Sequence, residues 1–215
     1  MNNNLRILVA VCLVATAVLS ATWTLLAPEF SSDSEEFLRA VADGGTSARV
    51  SVFGFAVSQL PFLIGVAGVA AWLHPASPRL AVAGGALAVL GGFGHAVFSG
   101  AAMTQVLMSS DPTGYADLAG SLESFGLLVP FMAAGLLGTV LGLILLGVAH
   151  FRSAATPRWV GPTLWAFVIV EFAGSGVSEW ASYLAALLYL AALSALALGV
   201  AQRESAVAAD HLDLV

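Results

Sequence analysis

Six long apolar runs divide this chain, and each is near the ~20 residues that the hydrocarbon core of a bilayer demands. They cover about 5–26, 50–73, 80–108, 125–149, 159–178 and 180–200, with short polar breaks between them. A soluble domain of 215 residues has no core large enough to hide them, since 59% of the residues are hydrophobic. Only 9% are charged, against about 25% in soluble domains. The runs predict an all-α integral membrane bundle of six transmembrane helices, with the lipid bilayer of the cell membrane as its solvent.

Arginine placement orients the bundle. Arg6, Arg79, Arg152, Arg158 and Arg203 fall on one side, and Arg39 and Arg49 on the other. By the positive-inside rule both termini, with the tail 204–215, are expected in the cytoplasm. Trp23 and Trp180 would then mark the outer interface, and Trp72 and Trp159 the inner one. The first run follows a short basic start and holds Ala15-Thr16-Ala17, a cleavage-like triplet. It continues to Leu26, so it is read as a retained helix.

The polar intervals carry local signals. In 28–49, Ser32 and Glu35 fit a capping box, and Phe37, Leu38 and Val41 form one apolar face. A short interfacial helix ended by Gly44-Gly45 is expected there. The acidic stretch 109–124 reads as a loop. The 13 acidic residues exceed the seven arginines, and the chain has no lysine, so no basic face for nucleic acid exists. One cysteine, Cys12, excludes an intrachain disulfide and a cysteine-cluster metal site.

A weak internal repeat is visible between the second and third runs and the fourth and fifth. Each unit has Pro-Phe in its first helix (Pro61-Phe62, Pro130-Phe131) and a histidine near its inner end (His74, His150). Pro-Arg then opens the next helix (Pro78-Arg79, Pro157-Arg158). A parallel two-helix duplication and a coincidence of composition both account for it. The turn 157–162, PRWVGP, after a short basic loop in an arginine-only chain resembles uncharacterised small multi-span bacterial integral membrane proteins. That resemblance covers the second to fifth runs; it implies several antiparallel helices and supplies no activity, cofactor or catalytic residue.

Glu171 is the acidic residue that lies inside an apolar run, where a lone carboxylate costs roughly 2.5–3.5 kcal/mol on insertion scales. Counting about 1.5 Å per residue from the inner helix ends puts Glu171 ~18 Å up, His95 ~22 Å up and Gln59 ~21 Å up. Three polar side chains on three helices therefore share a level in the outer half. Ser99 lies four residues from His95, and Ser175 four from Glu171, on the same helix faces. Gln59, His95, Glu171, Ser99 and Ser175 form the candidate ligand or proton site, and Gln59, His95 and Glu171 are expected to meet with at least one direct or water-bridged hydrogen bond among them. Mutual satisfaction that merely locks helices together explains the same pattern.

His74 and His150, at the inner helix ends, are candidates for a haem or metal, although interfacial histidines beside basic turns are the commoner explanation. No other cofactor is suggested, and no nucleotide loop, HExxH or GxSxG occurs. Pro61 and Pro130 are expected to kink their helices. Gly138 and Gly142 form a GxxxG, and Gly84, Gly85, Gly91, Gly92 and Gly94 smooth the third helix for close packing, within one chain or in a homo-oligomer. Two function classes remain: a small transporter or ligand-binding membrane protein, and a non-catalytic subunit that assembles with other membrane subunits.

Overall fold

The computed structural model describes residues 1–28, 31–153, 157–174 and 178–212. Its elements are α1 (Asn3–Leu26), α2 (Ser34–Leu73), α3 (Pro78–Met108), α4 (Pro112–Glu123), α5 (Val129–Ser153), α6 (Val160–Ile169) and α7 (Glu179–Leu212). A π-helical turn, Val170–Gly174, continues α6. Four of the helices, α1, α2, α3 and α5, are long and apolar enough to cross a membrane; so is the Trp180–Gln202 part of α7. The chain is an all-helical membrane protein among its described residues. Of the fifth run, Val160–Gly174 forms a described helix, and 175–177 lie outside the described residues.

The helices pack as a closed ring. Each neighbours the next in the order α1, α2, α3, α5, α6, α7, and α7 returns to α1. Adjacent members run antiparallel, which residue pairings establish. Ser51 donates to the Trp23 carbonyl at 3.2 Å, whereas Gly68, farther along α2, meets Val9 near the start of α1. At the α6–α7 seam Phe167 stacks on Tyr189, with ring centroids 4.4 Å apart.

The tightest seam joins α3 to α5. Cβ atoms built on Gly91, Gly94, Gly138 and Gly142 would strike the backbone of the opposite helix, so only glycine permits this approach. Gly138 and Gly142 are therefore consumed inside the chain. A second close approach sets Gly161 of α6 on Gly147 of α5, where an added Cβ would stand 2.7 Å from the Gly147 carbonyl oxygen. There Trp165 donates its indole N–H to the Ile144 carbonyl at 3.2 Å.

Several local expectations are revised. The interfacial helix starts one residue later than the capping box implied: Asp33 is the N-cap, accepting from the Glu36 N–H at 2.9 Å. Ser31 donates to the Glu36 carboxylate at 2.6 Å. As expected, the interfacial helix is interrupted at Gly44-Gly45, but a second helix follows without an intervening loop, so the two form one kinked element. Gly45 takes φ 52° and ψ −116°, and helix resumes into the membrane-crossing part of α2.

The stretch 109–124 is no simple loop. Asp111 caps α4 by accepting from the Gly114 N–H at 3.1 Å, and Pro112 supplies the preset first helical residue. This helix rests on α2, burying Leu38 with Met108 and Ala119. Pro61 does lie inside α2. Pro130 does not kink α5, because it falls in the first turn, where its missing N–H has no partner to lose.

The repeat units also diverge, since the second helix is 31 residues in one unit and 10 in the other. Among the expected interface tryptophans, Trp180 and Trp159 are exposed, but Trp72 is 5% exposed and packs in the core.

Candidate functional site

The ring encloses a cleft of about 300 Å³. All six of its members contribute wall: Thr16 and Trp23 from α1, Phe55 and Gln59 from α2, and His95 from α3. Thr139 comes from α5, Phe167 with the π-turn residues Glu171 and Phe172 from the fifth run, and Tyr189 from α7. The cleft occupies the half of the bundle nearer α4. Trp23 is three residues from the end of α1, and Met132, another wall residue, is three residues into α5.

Local structure explains how each polar group reaches the space. The π turn inserts an extra residue per turn and ends the regular i→i−4 ladder; such turns recur at functional sites. Val170, at the junction, gives its N–H to both the Ala166 and Phe167 carbonyls. Glu171 and Phe172 follow directly, so the irregular turn carries the carboxylate into the wall. Gln59, 6% exposed, donates from Nε2 to the Phe55 carbonyl and to Ser58 Oγ, both at 3.0 Å. His95 turns its ring edge-on to Phe55, centroids 5.7 Å apart. Phe55 in turn lies 4.9 Å from Trp23.

Gln59, His95 and Glu171 thus share one cleft, but no hydrogen bond joins the three directly among the described residues. Gln59 spends its amide N–H donors on its own helix, and His95 meets the Phe55 ring. Ser99 is outside the wall; its hydroxyl donates to the His95 carbonyl at 2.7 Å, the usual back-bond of a helical serine. Ser175 lies outside the described residues.

His74 and His150 differ in setting. His150 is 1% exposed with its ring 6.1 Å from that of Trp72, whereas His74 is exposed at the end of α2. Among the described residues no group of three histidine, cysteine or acidic side chains converges for a metal.

Two wall residues escape a reading of the sequence. Thr139 Oγ1 is buried and has no hydrogen-bond partner, although a helical threonine ordinarily bonds the carbonyl four residues back. Thr16 on α1 does so, donating to the Cys12 carbonyl at 2.8 Å. Tyr189 is the second; its phenol lies within electrostatic reach of the Glu171 carboxylate. The sequence signal for both is faint, a single hydroxyl within an apolar run.

No protein-family model, curated protein or solved structure matches this chain.

Proposed function

We propose that this chain is a small transporter or ligand-binding protein of the cell membrane. In this reading Val160–Gly174 belongs to a sixth span. Both termini are cytoplasmic, and the cleft opens in the outer half. The observation that carries the reading is the cleft itself, to which every member of the ring contributes wall and which brings Gln59, His95 and Glu171 from three separate elements to one space. A cleft of about 300 Å³ lies at the lower end of the size of ligand pockets. Its mixture of apolar wall and few polar groups is the composition such pockets share.

The test is a panel of small cationic, neutral and anionic solutes, screened for thermal stabilisation of the purified protein and of Ala186→Trp. Ala186 is a small wall residue, and tryptophan there fills the cleft. At least one class should stabilise the parent and lose its effect in the plugged variant. Stabilisation that survives the plug, or none from any class, sinks the reading. A reporter fused after Val215 should also report from the cytoplasm.

A further inference from the structure

We infer that a groove on the α4 side of the bundle seats a membrane phospholipid, its phosphate on Arg49 and its acyl chains along the exposed face of α3. The site is separate from the cleft and does not depend on it.

The bend at Gly45 builds the groove. Ala42 lies before the bend and Arg49 one turn after it, while Met103, Val106 and Leu107 come from the last turns of α3, with Ser110 just past its end. They border a space of about 360 Å³, within the size range of small-ligand pockets. The α4 helix covers the neighbouring face, where Leu38 packs with Met108 and Ala119. It leaves this face open: Leu107 is 75% exposed although Met108 beside it is buried.

Arg49 selects the charge of the guest. It is exposed and takes part in no hydrogen bond or ion pair among the described residues. Arg39, the other arginine of this end, is engaged by Glu35 and Thr113. Ser109 and Ser110 turn their hydroxyl protons to the Val106 and Leu107 carbonyls, so the donors that the groove presents are those of Arg49. A guanidinium holds its N–H groups in a planar fork that fits a phosphate bidentately.

The surroundings decide between a lipid and a free anion. Met103 and Leu107, one helical turn apart on a helix apolar enough to cross a membrane, border the same groove as the guanidinium and are exposed. Apolar side chains in that position meet acyl chains. Arg49 stands at the level of a helix end, because Ser51 bonds the Trp23 carbonyl and α1 stops at Leu26. Headgroups lie at that level. Asp33, Glu36, Asp43, Asp111 and Asp117 belong to the same end, so a free anion approaches against repulsion. A phospholipid is brought to Arg49 by its chains.

The experiment adds lipids to the purified full-length protein in an uncharged detergent and counts bound copies by native mass spectrometry. The probes are dioleoylphosphatidylglycerol and dioleoylglycerol, which has the same chains without the phosphate, with inorganic phosphate as competitor. The phospholipid should bind about fivefold more tightly than dioleoylglycerol, as a charge-assisted contact adds to equal chains. Arg49→Gln should remove that difference, Arg49→Lys should keep part of it, and Arg39→Gln should leave it unchanged. Leu107→Ser should weaken both lipids, which keeps the test alive if Arg49→Gln does not fold. Equal binding of the two lipids to the parent, or an equal loss in Arg39→Gln, overturns the site. Displacement of the phospholipid by inorganic phosphate overturns the lipid in favour of a soluble anion.

Discussion

Gly138 of α5 lies so close to Gly91 of α3 that a Cβ on Gly138 would stand 2.6 Å from the Gly91 nitrogen. The neighbouring Leu87 carbonyl oxygen would be 2.7 Å away. Backbone cannot retreat as a flexible side chain can, so the two helices must separate to admit even a methyl group. In lipid this matters more than in water, because van der Waals contact of this kind drives helix association.

Gly138→Ala should therefore cost on the order of 1–3 kcal/mol, the usual range for overpacking. Gly100, on α3 but with nothing within 4 Å of a built Cβ, is the control. Gly100→Ala should stay within about 0.5 kcal/mol, as surface changes do. Thermal melts in one detergent decide it; equal losses at the two sites would show that the seam is not a principal contact.

Gly45→Ala isolates backbone strain. A Cβ there meets nothing within 4 Å, yet φ 52° with ψ −116° is a conformation that residues with side chains rarely adopt. The expected loss is about 1–3 kcal/mol, confined to the N-terminal part of α2. Trypsin should then cut faster at Arg39 or Arg49, which flank the bend, with no change at Arg152. Unchanged cleavage would mean that the bend relaxes freely.

Thr139→Val removes a hydroxyl that has no partner while keeping the shape of the side chain. The unliganded protein should gain about 1 kcal/mol, the desolvation no longer forfeited. If the hydroxyl serves a guest, the same variant should bind any hit from the solute panel more weakly. A loss of stability without ligand would show that the hydroxyl is satisfied after all.

Acid should loosen α4 from α2. Glu35 pairs with Arg39 on its own helix and accepts from the Thr113 hydroxyl of α4 at 2.9 Å. Hydrogen bonding from Arg39, and then from Thr113, holds the Glu35 carboxyl below its ordinary range. A carboxyl lowered in the folded state contributes stability above its unfolded range, and that contribution is lost as pH falls through the folded range. Hydrogen-exchange protection of α4 amides should accordingly drop on acidification below the carboxylate range. Glu35→Gln should flatten that pH dependence. Both side chains are substantially exposed, so the effect is small and screened by salt.

Apolar run length determined the solvent and the fold class by itself. Backbone groups in hydrocarbon must be satisfied within each segment, and that leaves helices for runs of this length. Gln59, His95 and Glu171 were legible for the same reason, because a polar group within such a run is costly enough to stand out. What only the tertiary structure decided is which faces meet. Lipid tails and a helical core are both apolar, so helix periodicity does not separate an inward residue from an outward one. Trp72, which reads as an interface anchor, is buried against His150 for that reason. The glycines of α3 and α5 announce a close contact but not its partner, and packing named each as the other's. The π turn that brings Glu171 into the wall, and the hydroxyls of Thr139 and Tyr189 beside the cleft, depend on a ring that closes only when α7 reaches α1. A hydroxyl costs little to hide by bonding its own helix, so its sequence position alone does not reveal where it points.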